Sequence, residues 1–389
     1  MSTPKNILIV AGEASGDLHA ADLISEIKKL NAQIQFFGLG GEKMQEQGVA
    51  LSFNMTELAV VGLFEVLRNL NKFKKIFHDL LSKVDANKPD LAILVDYPGF
   101  NLRLAKELKK RNIPVIYYIS PQVWAWGGNR IKIIKKLVRR MIVFFKFEED
   151  LYRTKGIPVS FVGHPLIDHV KTTTGKEEML RKFNIPDSQF TIALLPGSRE
   201  KEVKNMLPIM LDTAALLYRD LPSVKFLILR SPTVKEGLFD HLLAGYRLPL
   251  YILHNMTYDG LAASDFAVVT SGTATLETAI LGIPMVIIYK VSFLSWLCLR
   301  MIIKIPFIGI VNIIAKQVVA PEFIQYHARP ERIAYYVKKT LTNPQELDKI
   351  KKLLLDIKQR LGERQAARKA ASIVLEELQK NENKSYQNN

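Results

Sequence analysis

The chain has 389 residues, about two to three domains by length, with room for a sizeable core. Hydrophobic residues make up 48% and charged residues 24%, which excludes a globally disordered chain. Lys and Arg total 54 against 38 Asp and Glu, a formal charge of +16 that points to an anionic partner. Nucleic acid, an acidic membrane surface and phosphorylated ligands all fit that charge. Cys298 is the single cysteine, so a disulfide framework and a cysteine-based zinc site are excluded.

Met1 to Lys5 leads directly into the apolar run Asn6–Val10, too short for a signal peptide, and a cytoplasmic, reducing location is expected. Short β-branched runs then alternate with longer amphipathic segments. The first series is Asn6–Val10, Ile34–Phe37, Leu91–Val95, Val115–Ile119, Met141–Phe145 and Val159–Val162. The second is Thr191–Leu195, Val224–Leu229, Leu250–Leu253, Phe266–Thr270 and Met285–Tyr289. This alternation predicts α/β architecture with parallel sheets covered on both faces. The polar stretch Lys171–Lys176 reads as a linker between two Rossmann-like domains, residues 1–170 and 171–350. Residues 351–389 read as C-terminal helices packing on the first domain or on a partner chain, with an unstructured tail from Asn381 to Asn389.

Ligands bind open α/β sheets at the carboxyl ends of strands, so the loops after these runs are the places to search. Ala11-Gly-Glu-Ala-Ser-Gly-Asp17 follows the first run. It is either a tight turn capped by Ser15 or Asp17, or a site using Glu13 and Asp17. Asp96 ends the apolar run Leu91–Val95 and opens Asp96-Tyr-Pro-Gly-Phe-Asn101. A carboxylate there is placed to accept a proton from a substrate hydroxyl, or to cap the turn before Pro98. Ser120-Pro-Gln122-Val-Trp124-Ala-Trp126 puts two of the three tryptophans in one loop, suited to sugar rings, acyl chains or plain packing.

Leu195-Pro-Gly-Ser198-Arg199 runs from a strand into a charged helix, and Arg199 at a helix start suits a diphosphate. Thr270-Ser271-Gly272-Thr273-Ala-Thr-Leu-Glu277 repeats the strand–turn–helix pattern with hydroxyl donors. Its carboxylate lies four positions after Thr273, on the same helix face, where it could hold ribose hydroxyls. Neither the dinucleotide fingerprint nor a P-loop is present. No His, Cys, Asp or Glu cluster has metal-ligand spacing, so neither a metal nor another cofactor is called for.

Gly127–Phe147 carries seven basic residues and no acidic one, and Thr278–Pro321 carries four among dense apolar residues. Phe64, Leu67, Leu70 and Phe73 recur near helical spacing beside Arg68, Lys72, Lys74 and Lys75. Such segments read either as helices in an anionic membrane interface or as core-facing helices with solvated charges. No uncharged run is long enough to span a bilayer, and no nucleic-acid-binding signature accompanies the charge.

The five loops, in this order, resemble the lipid-A-disaccharide synthase family over about residues 5–345. Gly163-His164-Pro165 and Val311-Asn312-Ile-Ile-Ala315 add to the resemblance. It implies a GT-B glycosyltransferase, two Rossmann-like domains facing across a cleft, without a metal cofactor. The implied substrates are UDP-2,3-diacylglucosamine and 2,3-diacylglucosamine 1-phosphate, joined by a β-1′,6 bond with release of UDP. The implied place is the cytoplasmic face of the Gram-negative inner membrane, and a homodimer through the second domain and tail is compatible with it. Carried over onto this sequence, Asp96 is the base with Glu13 as competitor. Ser15, Asp17, Asn101, Gln122 and Trp124 lie on the acceptor side. Ser198, Arg199, Ser271, Gly272, Thr273, Glu277, Asn312, Glu322 and Gln325 bind the donor. Two positions depart from the family: Gly99 leaves Asp96 as the one carboxylate of its loop, and Lys146 replaces a common proline before Phe147-Glu148. Another UDP-sugar-using GT-B enzyme (a peptidoglycan glucosaminyltransferase or a 2-epimerase) and a non-catalytic basic membrane-surface protein are the competing readings.

Overall fold

A computed structural model describes residues 5–55, 70–124, 128–291 and 306–387. The chain forms two units: residues 1–165 with 361–389, and residues 166–360. In the first, seven parallel strands are ordered β3-β2-β1-β4-β5-β6-β7. They are β1 (Asn6–Ala11), β2 (Gln35–Gly40), β3 (Ala50–Asn54), β4 (Leu91–Val95), β5 (Val115–Tyr118), β6 (Arg140–Val143) and β7 (Val159–Phe161). In the second, six parallel strands are ordered β10-β9-β8-β11-β12-β13. They are β8 (Phe190–Leu195), β9 (Val224–Arg230), β10 (Leu250–His254), β11 (Phe266–Thr270), β12 (Met285–Tyr289) and β13 (Glu322–Ile324).

Central strands are buried on both faces, which is why they are continuous apolar runs. In β1, Ile7, Ile9 and Ala11 face the helix Ala14–Leu30 through Leu23, Ile24 and Ile27. Leu8 and Val10 face the opposite side, with Leu104 and Leu108 of the helix Pro98–Lys110. Two strands escaped the sequence reading, β3 and β13. Both are sheet edges, three to five residues long and only partly buried, so neither presents an unbroken apolar run.

The chain re-enters the first unit at its end. The helix Pro344–Arg360 belongs to the second unit, whereas Ala366–Gln387 packs Ala370, Ala371 and Val374 into the first unit's core. Glu377, 4% exposed, pairs with Arg139 (2.7 Å) and Arg140 (3.2 Å). Two of the seven basic residues in Gly127–Phe147 are thus spent on holding this helix, not presented to a partner. The expected unstructured tail is corrected here: the helix continues to Gln387, and Asn381 Nδ2 donates to Asp90 O at 3.1 Å. The supposed linker is also tied down. Thr173 and Thr174 donate their backbone N–H groups to Asp259 Oδ1, and the Thr173 hydroxyl donates to Oδ2.

Phe64 and Leu67 lie outside the described residues, and Leu70 opens the helix Leu70–Asn87. Phe73, expected on a membrane face, packs with Phe77 against the core. The 73–76–77–80–84 spacing makes one stripe with buried Ile76, Leu80 and Val84. Lys72, Lys74 and Lys75 stay exposed. Among the described residues no helix is long and apolar enough to cross a membrane.

Candidate active site

In each unit the strand order reverses between two adjacent strands, and the motif loops leave the sheet there. In the first unit β1 pairs with β4, Ala11 opposite Val95, so the loops opening with Gly12 and Asp96 emerge side by side. Gly12 allows a close approach: a Cβ there would sit 2.3 Å from Tyr97 Cγ. Asp96 and Tyr97 are both left-handed, with φ of 44° and 45°. That conformation costs about 1–2 kcal/mol per residue and needs external support. The support is visible at the Asp96 carbonyl, which accepts hydrogen bonds from Tyr117 Oη (2.5 Å) and Asn101 Nδ2 (2.8 Å). Its N–H donates to Tyr118 O at 3.0 Å.

This strained turn holds the Asp96 carboxyl half-buried at the sheet's end. Burial, then the neighbouring Glu13 carboxylate, push its pKa up to about 6; a hydrogen bond from the Tyr97 backbone works against them. Glu13 itself is exposed, as is Ser15. The raised pKa suits the Asp96 carboxyl to proton transfer near neutrality.

Two other expected residues of this unit, Asp17 and Asn101, are bonded into the scaffold. Asp17, 3% exposed, accepts backbone N–H bonds from Gly41 (2.7 Å), Lys43 (3.0 Å) and Met44 (3.2 Å). It thereby caps the helix Glu42–Glu46 across the sheet end, a structural role in this fold. Asp17→Ala should lower stability by about 3 kcal/mol, read as a fall in the urea midpoint with unchanged slope. Asn101 is fully buried, its Nδ2 donates to the carbonyls of Val95 and Asp96, and its Oδ1 has no partner among the described residues. Gln122 is exposed.

Trp124 is half-buried. Its indole N–H donates to Glu148 Oε1 at 3.3 Å, and its ring meets Phe147 edge to face. Glu148 is 3% exposed, and burial pushes its pKa up to about 8, so it carries a proton at neutral pH. Hydrogen bonds from Trp124, the Phe145 and Phe144 backbone and Ser120 only partly offset that burial. The sequence signal for this residue was the Phe147-Glu148 pair just past an apolar strand, but acids opening a helix usually lie in solvent.

In the second unit β8 pairs with β11, Leu195 opposite Val269. The two loops that follow line one pocket of about 780 Å³, together with the ends of β9, β10 and β12. Ser198, Arg199, Ser271, Gly272, Thr273 and Glu277 all line it. Arg199 occupies the N-cap position of the 21-residue helix Glu200–Asp220 without a side-chain capping bond, and its side chain is 82% exposed. Gly197 has φ of 116°, and a Cβ there would meet Glu202 at 2.7 Å, so glycine is required for this turn. Glu202 Oε2 accepts from the Ser198 N–H at 3.1 Å and fixes the turn's shape. Burial raises the pKa of Glu277, opposed by a hydrogen bond from Tyr258 Oη to its Oε1 at 3.2 Å. One wall therefore carries hydroxyl groups and Arg199, which also meets Glu202 at 3.5 Å, and another offers a recessed carboxylate.

Asn312, Glu322 and Gln325 do not line this pocket. Asn312, fully buried, bonds the backbone of Val319 and Ala320 and donates to Glu322 Oε1. Glu322 also accepts from the N–H groups of Ile308 (2.9 Å) and Gly309 (2.9 Å). Gln325 bridges both backbone groups of Val291. In the chain they form a brace beside β12 and β13, their polar atoms bonded to neighbouring backbone and, for Asn312 and Glu322, to each other. Conversely, Lys171, Asn255, Tyr258 and Tyr289 line the pocket and belong to no sequence motif. Among the described residues no three His, Cys, Asp or Glu side chains converge to hold a metal ion.

Two parallel-sheet α/β units with loops at both switch points define the GT-B class of glycosyltransferase folds. Solved structures agree on the fold. The glycotransferase of kitacinnamycin superposes with a TM-score of 0.62 at 16% identity, over 97% of this chain and 100% of that one. The UDP-GlcNAc 2-epimerase from Neisseria meningitidis, bound to UDP-GlcNAc, gives 0.59 at 15%, over 96% and 100%. Sequence comparison narrows the class. The profile of the lipid-A-disaccharide synthetase family matches residues 7–377. The lipid-A-disaccharide synthase of Syntrophus aciditrophicus is 47% identical over 97% of this chain and 99% of its own length. That of Geobacter sulfurreducens is 41% identical over the same shares. The chain belongs to the lipid-A-disaccharide synthase family and is an enzyme, a glycosyltransferase of lipid A biosynthesis.

Proposed function

We propose that the protein joins UDP-2,3-diacylglucosamine to 2,3-diacylglucosamine 1-phosphate, giving a β-1′,6-linked disaccharide 1-phosphate and UDP. The observation that carries this reading is the composition of the second-unit pocket, a diphosphate-type wall and a ribose-type carboxylate in one cavity. The relatives named lipid-A-disaccharide synthase support a lipid A disaccharide as the product class. The acceptor 6-hydroxyl attacks C1 of the donor sugar as UDP leaves, inverting the configuration in one displacement. Asp96 takes the hydroxyl proton late in that step. Arg199 and the donors around Ser198, Ser271 and Thr273 stabilise charge growing on the departing diphosphate. Glu277 holds the ribose.

The lipid substrates imply peripheral association with an anionic inner-membrane surface, and exposed Lys72, Lys74 and Lys75 support it. Vesicle flotation with and without anionic lipid tests that point. Arg199→Ala is expected to lower kcat/KM by about 10²- to 10³-fold, with most of the loss in kcat. A rise in donor KM with kcat intact would instead assign Arg199 equal binding of ground and transition states. The product is checked by mass and by the anomeric proton coupling of the new bond. An α coupling would overturn the inverting displacement.

A further inference from the structure

Tyr258 stands on the helix Thr257–Ala262 in the pocket wall. That helix is held on two sides. Gly260 packs so closely on the sheet that a Cβ there would meet Leu229 Cδ2 at 2.5 Å and Leu253 Cδ1 at 3.0 Å. Asp259 grips Thr173 and Thr174 through both carboxylate oxygens. The Tyr258 ring therefore projects from a fixed platform, and its hydroxyl meets Glu277 Oε1 at 3.2 Å.

A glutamate facing an open pocket turns freely about its terminal torsion, which is broad and roughly two-fold. One hydroxyl donor on Oε1 removes that freedom and leaves Oε2 for a ligand. Burial and the Glu277 charge push the Tyr258 pKa up to about 12, so it donates throughout the neutral range. Its bond also counters the burial that raises the Glu277 pKa and so favours the ionised carboxylate.

We propose that Tyr258 is a positioning residue that aims Glu277 at the sugar hydroxyls of the donor nucleotide and makes the pocket selective for an intact ribose diol. This rests on Glu277 holding the ribose. Two neutral acceptor or donor groups could not tell a hydroxyl from a hydrogen as sharply as an oriented carboxylate, which is left without its partner when the hydroxyl is missing.

The test is calorimetric binding of UDP, 2′-deoxy-UDP and 3′-deoxy-UDP to the full chain. The wild type, Tyr258→Phe, Glu277→Gln and the double variant are compared, with thermal unfolding of each. The wild type should prefer UDP about 10-fold over at least one deoxy form. Tyr258→Phe should reduce that preference to about two-fold, by weakening UDP while sparing the deoxy nucleotide. The double variant should lose no more than Glu277→Gln, because the two side chains act as one unit. Retained preference in folded Tyr258→Phe, or an equal loss for all three nucleotides, would overturn the proposal while the ribose reading stood. Absence of any ribose preference in the wild type would remove both.

Discussion

Replacing Asp96 by asparagine is expected to lower turnover by about 10²- to 10⁴-fold, the usual contribution of a positioned general base. The change keeps the side chain's size and its place in the strained turn, so donor KM should move little. The pH profile gives a second readout. With a pKa of about 6, Asp96 loses its charge as the pH falls through 6, and the wild-type rate should fall with it. Asp96→Asn should lack that limb. Glu13→Gln separates the two carboxylates. Its removal takes away a like charge that raises the Asp96 pKa, so the limb should move to lower pH with turnover retained. Loss of turnover comparable to that of Asp96→Asn would transfer the base to Glu13.

The second large effect concerns Glu148 and stability. Its pKa in the folded protein is about 8, above the value of about 4.3 for an unfolded glutamate. Below pH 4 it is neutral in both states and costs nothing. As the pH rises, the unfolded chain ionises first, and the folded state loses ground until the pH passes 8. The slope from this one group approaches about 1.4 kcal/mol per pH unit within that window. Glu148→Gln should remove it, so the variant gains on the wild type steadily from pH 5 to 8 in urea unfolding. A Gln amide can still accept from Trp124, which makes it the right comparison. A constant difference between the two proteins across that range would show that Glu148 titrates normally.

The central strands were legible because burial on both faces leaves no room for polar residues, and the loops after them because small residues must follow. That logic placed the Gly12, Asp96, Pro196 and Ser271 loops at strand ends, and the strand order then put them at the two switch points. It failed for β3 and β13, whose exposed edges relax the pattern. The three backbone bonds to Asp17 were not legible, because nothing local shows that residues 41–44 return to present their N–H groups. The brace formed by Asn312 with Glu322, and by Gln325 with Val291, was illegible for the same reason: its partners are distant in sequence. Tyr258 and Glu148 were missed as well. Each lies in a helix whose composition is ordinary, and only the packing of distant elements turns the side chain towards its partner.

The most direct test of the account is UDP release from UDP-2,3-diacylglucosamine in detergent and EDTA, measured with and without 2,3-diacylglucosamine 1-phosphate. Release that requires the acceptor, and that persists in EDTA, is the predicted result. Absence of release from folded protein, or release indifferent to the acceptor, would contradict it.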